Sequence, residues 1–386
     1  MAESSPSQPL NKKLIAAVIA VVFLYWVSLY LYVPTLPVYV QGKVDDLALA
    51  GIILSMYGLW QMFSRMPTGI VADWIGRRKP NIFIGLLLTG LGAWIMSGAQ
   101  GSSGLLVGRA ITGIGAGAWV PLVVLFTSLF PAKDLIRATA LLTVVNTLGR
   151  MAGTVSTGFL NNLGGYPLAF HLAGAAALLA IVVLLVIPEK RRAVQPPSLR
   201  KLGALFIRPE VLVPSLLSAV LHYGDWTGSF TFLPILASRY GAGNVTLSLL
   251  MTLNLAMVLL GNAISTGAVK RLGEKPLLVT SFILMGLGLG GGALAPSLTY
   301  VFLAQFAAGC AFGVGYPVLM GMSIKKVDTS EQNSAMGLHQ SVYALGMFAG
   351  PWLSGLLAKA IGVQPMFGIT AGAILVVGLA GQRLVD

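Results

Sequence analysis

Runs of about 20 residues with almost no charge recur from end to end of this 386-residue chain. A run of that length is what an α-helix needs to cross the hydrocarbon of a bilayer. The same constraint appears in the composition. Charged residues make up 10% of the chain and apolar residues 56%, with a mean hydropathy of +0.83. A soluble domain carries about 25% charged residues, so this chain lacks the charge to cover a water-facing surface. With no water in the hydrocarbon, only helices and closed barrels satisfy the backbone there. The runs are continuous rather than alternating, which selects helices.

The sequence predicts spans near Leu14–Tyr39, Leu47–Val71, Asn81–Gly98, Leu105–Leu129, Ile136–Leu160 and Leu168–Ile187. After a polar stretch, six more follow near Val211–Ser238, Val245–Val269, Leu277–Leu294, Leu298–Ile324, Ala335–Ala360 and Met366–Leu379. The expected organisation is an all-α membrane protein of twelve transmembrane helices in two pseudo-symmetric six-helix bundles. The first bundle covers 1–187, a cytoplasmic linker 188–210 and the second bundle 211–386. The tail Met1–Lys13 is polar and the first apolar run is long, the pattern of a retained span rather than a cleaved leader. The net charge of +13 does not indicate nucleic acid, because Lys and Arg sit in short tracts between apolar runs. With both termini inside, 19 of the 25 basic residues fall in cytoplasmic segments or at their edges. Lys43, Arg239 and Lys359 fall outside, and Arg65, Arg109 and Arg150 lie within spans. That bias orients the chain N-in and C-in, as a multi-pass protein of the plasma (inner) membrane. The single cysteine, Cys310, excludes an intramolecular disulfide.

The two halves repeat. Gly113, Gly117 and Pro121 recur 196 residues later as Gly309, Gly313 and Pro317. Gly149, Gly153 and Gly158 recur at an offset of 197 as Gly346, Gly350 and Gly355, and Gly76 recurs as Gly273. Duplicated bundles around a midplane site are a common architecture of secondary transporters.

The loop after the second span runs from Gly69 to Lys79 as G-I-V-A-D-W-I-G-R-R-K. It resembles the signature of the major facilitator superfamily, G-x-L-A-D-R-x-G-R-K, at Gly69, Ala72, Asp73, Gly76, Arg77 and Arg78, with Trp74 in place of an arginine. The resemblance implies a cytoplasmic gate loop that latches the halves. Small residues permit close helix contact there, and Asp73 is suited to a basic side chain or a facing helix N-terminus. Arg109, Gly113 and Gly115 are similar to the family's R-x-x-x-G-x-G motif, which implies a part in proton coupling. Tyr32-Val-Pro-Thr-Leu-Pro37 resembles the drug:proton antiporter (multidrug efflux) branch. That branch's span-5 pattern G-x-x-x-G-P-x-x-G-G is better matched by Gly346–Gly355 in span 11, since Thr154 stands where span 5 needs proline.

A charge at mid-bilayer costs about 2.5–3.5 kcal/mol on insertion scales, so such residues usually face a cavity or a partner. Asp225 is the one deeply placed carboxylate, with His222 three residues before it on the same face. Arg109 and Arg150 are buried in the first half, with Asn146 one turn before Arg150. One reading makes Asp225, with His222, Arg109 and Arg150, the proton-coupling group, Asp225 being contested by a proton and an arginine. A second makes Asp225 and an arginine a fixed ion pair, and a third leaves Asp225 facing lipid or water without a role. Candidates to line a substrate cavity are Tyr30, Gln61, Asn146, Arg150, Trp226, Asn254, Gln305, Tyr316 and Tyr343. His339 is expected to be structural.

No P-loop, H-E-x-x-H or G-x-S-x-G motif occurs, which argues against ATP-driven transport and hydrolase chemistry. The expectation is therefore a non-enzymatic, monomeric secondary transporter that needs no metal and no cofactor beyond a proton gradient. It would move small amphiphilic compounds outward by alternating access. Symport or exchange of an anionic metabolite, favoured by Arg109 and Arg150, remains open, as do a lipid-headgroup flippase and a non-transporting sensor.

Overall fold

A computed structural model describes residues 12–131, 134–189, 191, 203, 205, 207–328 and 331–384. The tail up to residue 11 and most of the expected linker, including Lys190, Arg192, Arg200 and Lys201, lie outside the described residues. Every regular element is helical: α1 Lys12–Tyr30, α2 Leu36–Val44, α3 Leu47–Ile75, α4 Lys79–Ser97, α5 Ser102–Gly115, α6 Trp119–Thr127 and α7 Leu135–Leu185. The second half holds α8 Pro209–Thr227, α9 Leu233–Arg239, α10 Asn244–Leu272, α11 Glu274–Ala293, α12 Leu298–Lys325, α13 Gln332–Ile361 and α14 Val363–Gly381.

Ten helical stretches among the described residues are long and apolar enough to cross a membrane. One of them, Arg137–Leu185, has 49 residues. At 1.5 Å per residue that is about 74 Å, more than twice the hydrocarbon thickness of about 30 Å. The chain breaks it at Gly164 and Gly165, the latter at φ 69°, ψ 178°. Only glycine takes that conformation readily, and Pro167 follows where a helix can restart.

Three spans expected to be continuous are interrupted, one of them by the 3₁₀ turn Ala116–Ala118 between α5 and α6. Pro34 and Pro37 place a tight 3₁₀ turn, Val33–Thr35, between α1 and α2. A π turn, Gly228–Phe232, separates α8 from α9. The helices also extend several residues past the expected apolar limits, because polar residues at the bilayer surface still continue a helix. Asp46 caps α3 by accepting from the amides of Ala48 and Leu49, and Gly76 ends it at φ 68°.

The glycine repeat has a packing cause. A side chain at Gly113 would strike the carbonyl of Tyr57, and one at Gly309 that of Asn254. Gly158 is pressed against the carbonyl of Asn244 and Gly355 against that of Leu47. The struck residues are themselves 197 apart, so what repeats is a set of helix crossings. Two of these crossings join the halves: α3 on α13, and α7 on α10. Small residues are what let helix backbones approach this closely inside a membrane. The buried apolar side chains form two large clusters, one drawn mainly from residues 18–187 and one from 217–374. Large apolar residues such as Leu163, Leu287 and Val376 point outward and are mostly exposed, a surface suited to lipid rather than water.

The Gly69–Lys79 loop is tied within its own half. The Glu189 carboxylate accepts from the amides of Arg78 and Lys79 at 2.6 and 3.0 Å. It thus sits on the N-terminus of α4, where a helix favours negative charge. The Lys79 ammonium caps the carbonyls of Leu185 and Ile187 at the end of α7. Asp73, expected to take such a role, is exposed.

Candidate functional site

Three groups of buried polar and aromatic side chains lie between the halves. The first surrounds a small chamber bordered by Tyr30, Tyr57, Arg109, Trp226, Phe230 and Thr231. About 20 Å³ of free space remains in it, room for about one water molecule. Aromatic rings fill the rest. Tyr57 from α3 stacks on Trp226 from α8 at 5.5 Å and 12°, and Trp226 stacks on Phe230 at 4.8 Å and 10°. The π turn after α8 adds a residue to the helical turn and carries Phe230 beside Trp226. The result is a column of three near-parallel rings that crosses from one half to the other. Arg109 lies over the Tyr57 ring at 4.7 Å. It donates a long hydrogen bond, 3.5 Å, to the Leu54 carbonyl, and its Nε has no partner.

The second group surrounds Asp225, which is 3% exposed. Ser229 and Asn254 flank the carboxylate, and the charge of Arg150 acts on it from α7. Asn254 donates to the Ser229 hydroxyl at 2.9 Å, while Oδ1 of Asp225 and Oδ1 of Asn254 have no partner. No ion pair within 4.0 Å joins Asp225 to an arginine among the described residues. Arg150 instead lies over the rings of Tyr30, at 4.5 Å, and Trp26, at 5.7 Å. Arg150 thus faces Asp225, whereas Arg109 faces Tyr57 and Tyr32.

The third group is built on His222. Its ring lies flat on Tyr343 at 4.1 Å and 2°, with Phe312 and Tyr316 edge-on. Its Nδ1 is 2.8 Å from the Ser218 carbonyl, so Nδ1 carries the proton that is donated there. Arg65, from α3, donates to the Tyr343 hydroxyl and, at 3.0 Å, to Gln340. His339 pairs with the Ser215 hydroxyl at 3.1 Å.

The sequence-derived candidates are therefore distributed unevenly. Tyr30 and Trp226 border the chamber, Asn254 belongs to the Asp225 group, and Tyr316 and Tyr343 enclose His222. Asn146 and Gln61 each bury an oxygen without a partner, and Gln305 buries both amide atoms without one. Of the gate residues, Gly69, Gly76, Arg77 and Arg78 lie at the α3–α4 corner with Asp73, and Glu189 ties that corner to the first half. Sequence reasoning missed Tyr57, Arg65, Ser229, Phe230, Phe312 and Gln340. The repeat carried a signal for one of them: an offset of 197 relates Tyr57 to Asn254.

The Major Facilitator Superfamily model matches residues 18–219 and 215–385 of this chain. The chain is similar to the uncharacterized MFS-type transporter MJ1560 of Methanocaldococcus jannaschii, 22% identical over 95% of this chain and 98% of that one. It is also similar to the quinolone resistance protein NorA of Staphylococcus aureus, 24% identical over 94% of this chain and 95% of NorA. Among solved structures, a mutant of the nucleoside transporter NupG superposes with a TM-score of 0.82 at 17% identity, covering 97% of this chain and all of that one.

Proposed function

This chain belongs to the major facilitator superfamily, and on that premise we propose that it is a proton-coupled exporter of small amphiphilic compounds that works by alternating access. It is a multi-pass membrane transporter and not an enzyme. The finer reading counts twelve spans. The break at Gly164–Gly165 makes two crossings of α7, and α8 with its π turn and α9 makes one. Six then fall in 1–187 and six in 211–386, with both termini cytoplasmic in the plasma membrane. In that orientation the Asp46 end faces outward and the Gly76 end faces the cytoplasm.

One observation carries the coupling reading: a buried carboxylate, Asp225, with an unpaired oxygen and a guanidinium facing it from the opposite half without a closed ion pair. A carboxyl in that position can exchange a proton as the halves rock and the distance to Arg150 changes. The amphiphile reading rests on the aromatic chamber beside it. NorA, a quinolone resistance protein, is a relative of matching length and supports outward transport.

The test is transport in proteoliposomes with an imposed pH gradient. Wild-type protein is expected to move an amphiphilic dye against its gradient, with protons moving the opposite way. Asp225→Asn is expected to abolish gradient-driven accumulation while leaving downhill exchange measurable. Accumulation by Asp225→Asn with the wild-type pH profile would remove Asp225 from the coupling role.

A further inference from the structure

The interior holds an excess of positive charge that the coupling reading does not use. Among the described residues, the guanidiniums of Arg65, Arg109 and Arg150 share the interior with a single carboxylate, Asp225. Arg65 is engaged by Tyr343 and Gln340. Arg150 faces Asp225. Arg109 is left. It is 4% exposed, no carboxylate lies within ion-pair distance, and its Nε is unpartnered. The buried Tyr32 hydroxyl lies beside it, within reach of the guanidinium. A buried guanidinium without a counter-charge is costly, and this one borders the chamber.

The chamber wall beside Arg109 is the Tyr57–Trp226–Phe230 column. Tyr57 and Trp226 come from different halves, so their gap widens when the halves separate, whereas Trp226 and Phe230 come from one segment and stay together. A flat ring entering between Tyr57 and Trp226 would stack on both faces, an arrangement aromatic rings favour at centroid distances of about 4.5–7 Å. Arg109, already over the Tyr57 face, then lies at the edge of that ring.

We propose that Arg109 is the carboxylate receptor of this site, and that its ligand is a small planar aromatic monoanion whose ring inserts between Tyr57 and Trp226. This rests on the transporter reading above and names its substrate class. The two arginines divide the work: Arg150 answers Asp225, and Arg109 answers the ligand. A carboxylate takes two parallel N–H bonds from a guanidinium, and the Tyr32 hydroxyl supplies a further donor. A cationic amphiphile would meet an uncompensated like charge instead.

Equilibrium binding to the purified protein in nanodiscs, followed by calorimetry, tests this with three probes that share one ring system: 1-naphthoate, 1-naphthalenemethanol and 1-naphthalenemethylamine. Binding needs neither a gradient nor turnover, so its failure leaves the coupling role of Asp225 standing, and failure of coupling leaves binding measurable. Naphthoate is expected to bind about tenfold or more tightly than the alcohol, with the amine weakest. Arg109→Gln is expected to remove that preference by losing far more affinity for naphthoate than for the alcohol, and its remaining binding of the alcohol shows that the variant is folded. Arg150→Gln is expected to keep it, and Trp226→Leu to weaken all three probes alike. Equal binding of the three probes, tightest binding of the amine, or loss of the preference in Arg150→Gln rather than Arg109→Gln would overturn the proposal.

Discussion

The seams α3–α13 and α7–α10 are one seam built twice, and only one of them is closed along its length. The first begins at the Asp46–Lys359 ion pair, 2.6 Å. It continues where Gly51 meets Pro351 and Gly355, then where Gly58 meets Met347, and ends where Arg65 meets Gln340 and Tyr343. The second begins at its equivalent place, where Asn244 donates to Asn162 at 2.9 Å and Gly158 meets Asn244 and Val245. Its last hydrogen bond among the described residues joins Thr252 to Thr154, 3.3 Å. At the offset of 197, the counterpart of Arg65 is Asn262 and that of Tyr343 is Asn146. Both bury a carbonyl oxygen with no partner. The counterpart of Gly58 is Leu255, which fills the space that a glycine would leave for close approach.

The difference teaches which way the molecule is poised. Where the first seam uses charge, the second uses amides or nothing. Beyond Thr154, toward the Gly76 end, α7 presents Thr139 and Thr143, both exposed and bonded only to carbonyls of their own helix. On α10 the exposed Thr266 is likewise bonded to its own helix. Exposed polar residues on both helices beyond the last cross-seam bond suit a water-filled approach to the chamber. The Asp46 end, by contrast, is held by both seams.

The largest effect is expected from forcing the closed seam. A Cβ at Gly58 would lie 2.6 Å from backbone atoms of Met347 and Phe348, and backbone cannot swing away. Because the clash is with backbone, the cost of Gly58→Val is expected to exceed the about 1–3 kcal/mol that overpacking usually costs, read as thermal unfolding of the purified protein. Gly267, on α10, has nothing within 4 Å, so Gly267→Val is expected to be neutral. Equal stability of the two variants would mean that the first seam is not closed at Gly58 in the resting protein.

A smaller effect separates the polar ends of the two seams. Arg65→Met keeps the apolar stem but removes the donors held by Tyr343 and Gln340. A loss of about 2–3 kcal/mol is expected, the scale of buried hydrogen bonds to a charged group. Asn262→Leu removes a buried oxygen that has no partner and is expected to cost under about 1 kcal/mol. Comparable losses would show that Asn262 is engaged and that the second seam is closed as well. The same pair of residues shows how much was legible beforehand. The glycine offset was visible in the sequence because close approach admits few residue types. Arg65 and Gln340 were not, because a polar residue in a span looks the same whether it meets the other half or lipid. The groups around Asp225 and His222 were partly visible for the opposite reason: a buried charge has few acceptable environments. The π turn was invisible, since Gly228–Phe232 holds neither a charge nor a proline to mark it.

The smallest effect is expected at the Asp46 end, and its value lies in what it excludes. Lys359 bonds the Asp46 carboxylate, and with the amides of Leu49 and Ala48 it holds that carboxyl below its ordinary value of 3.8. A depressed folded value means that the clasp's contribution is complete above that ordinary value and is lost only as pH falls through the lower one. Between about pH 5 and 8 the clasp is therefore constant. Asp46→Asn retains an oxygen to cap α3 but loses the ion pair, which is exposed and weak. The variant is expected to open slightly faster at this end, seen as quicker cross-linking loss between cysteines placed at 154 and 252 in a Cys310→Ser background. Its transport pH profile is expected to superimpose on that of the wild type. A flattened profile in Asp46→Asn would move the pH sensor from the chamber to the outer clasp, and the contrast between a charged seam and an amide seam would then concern coupling as well as closure.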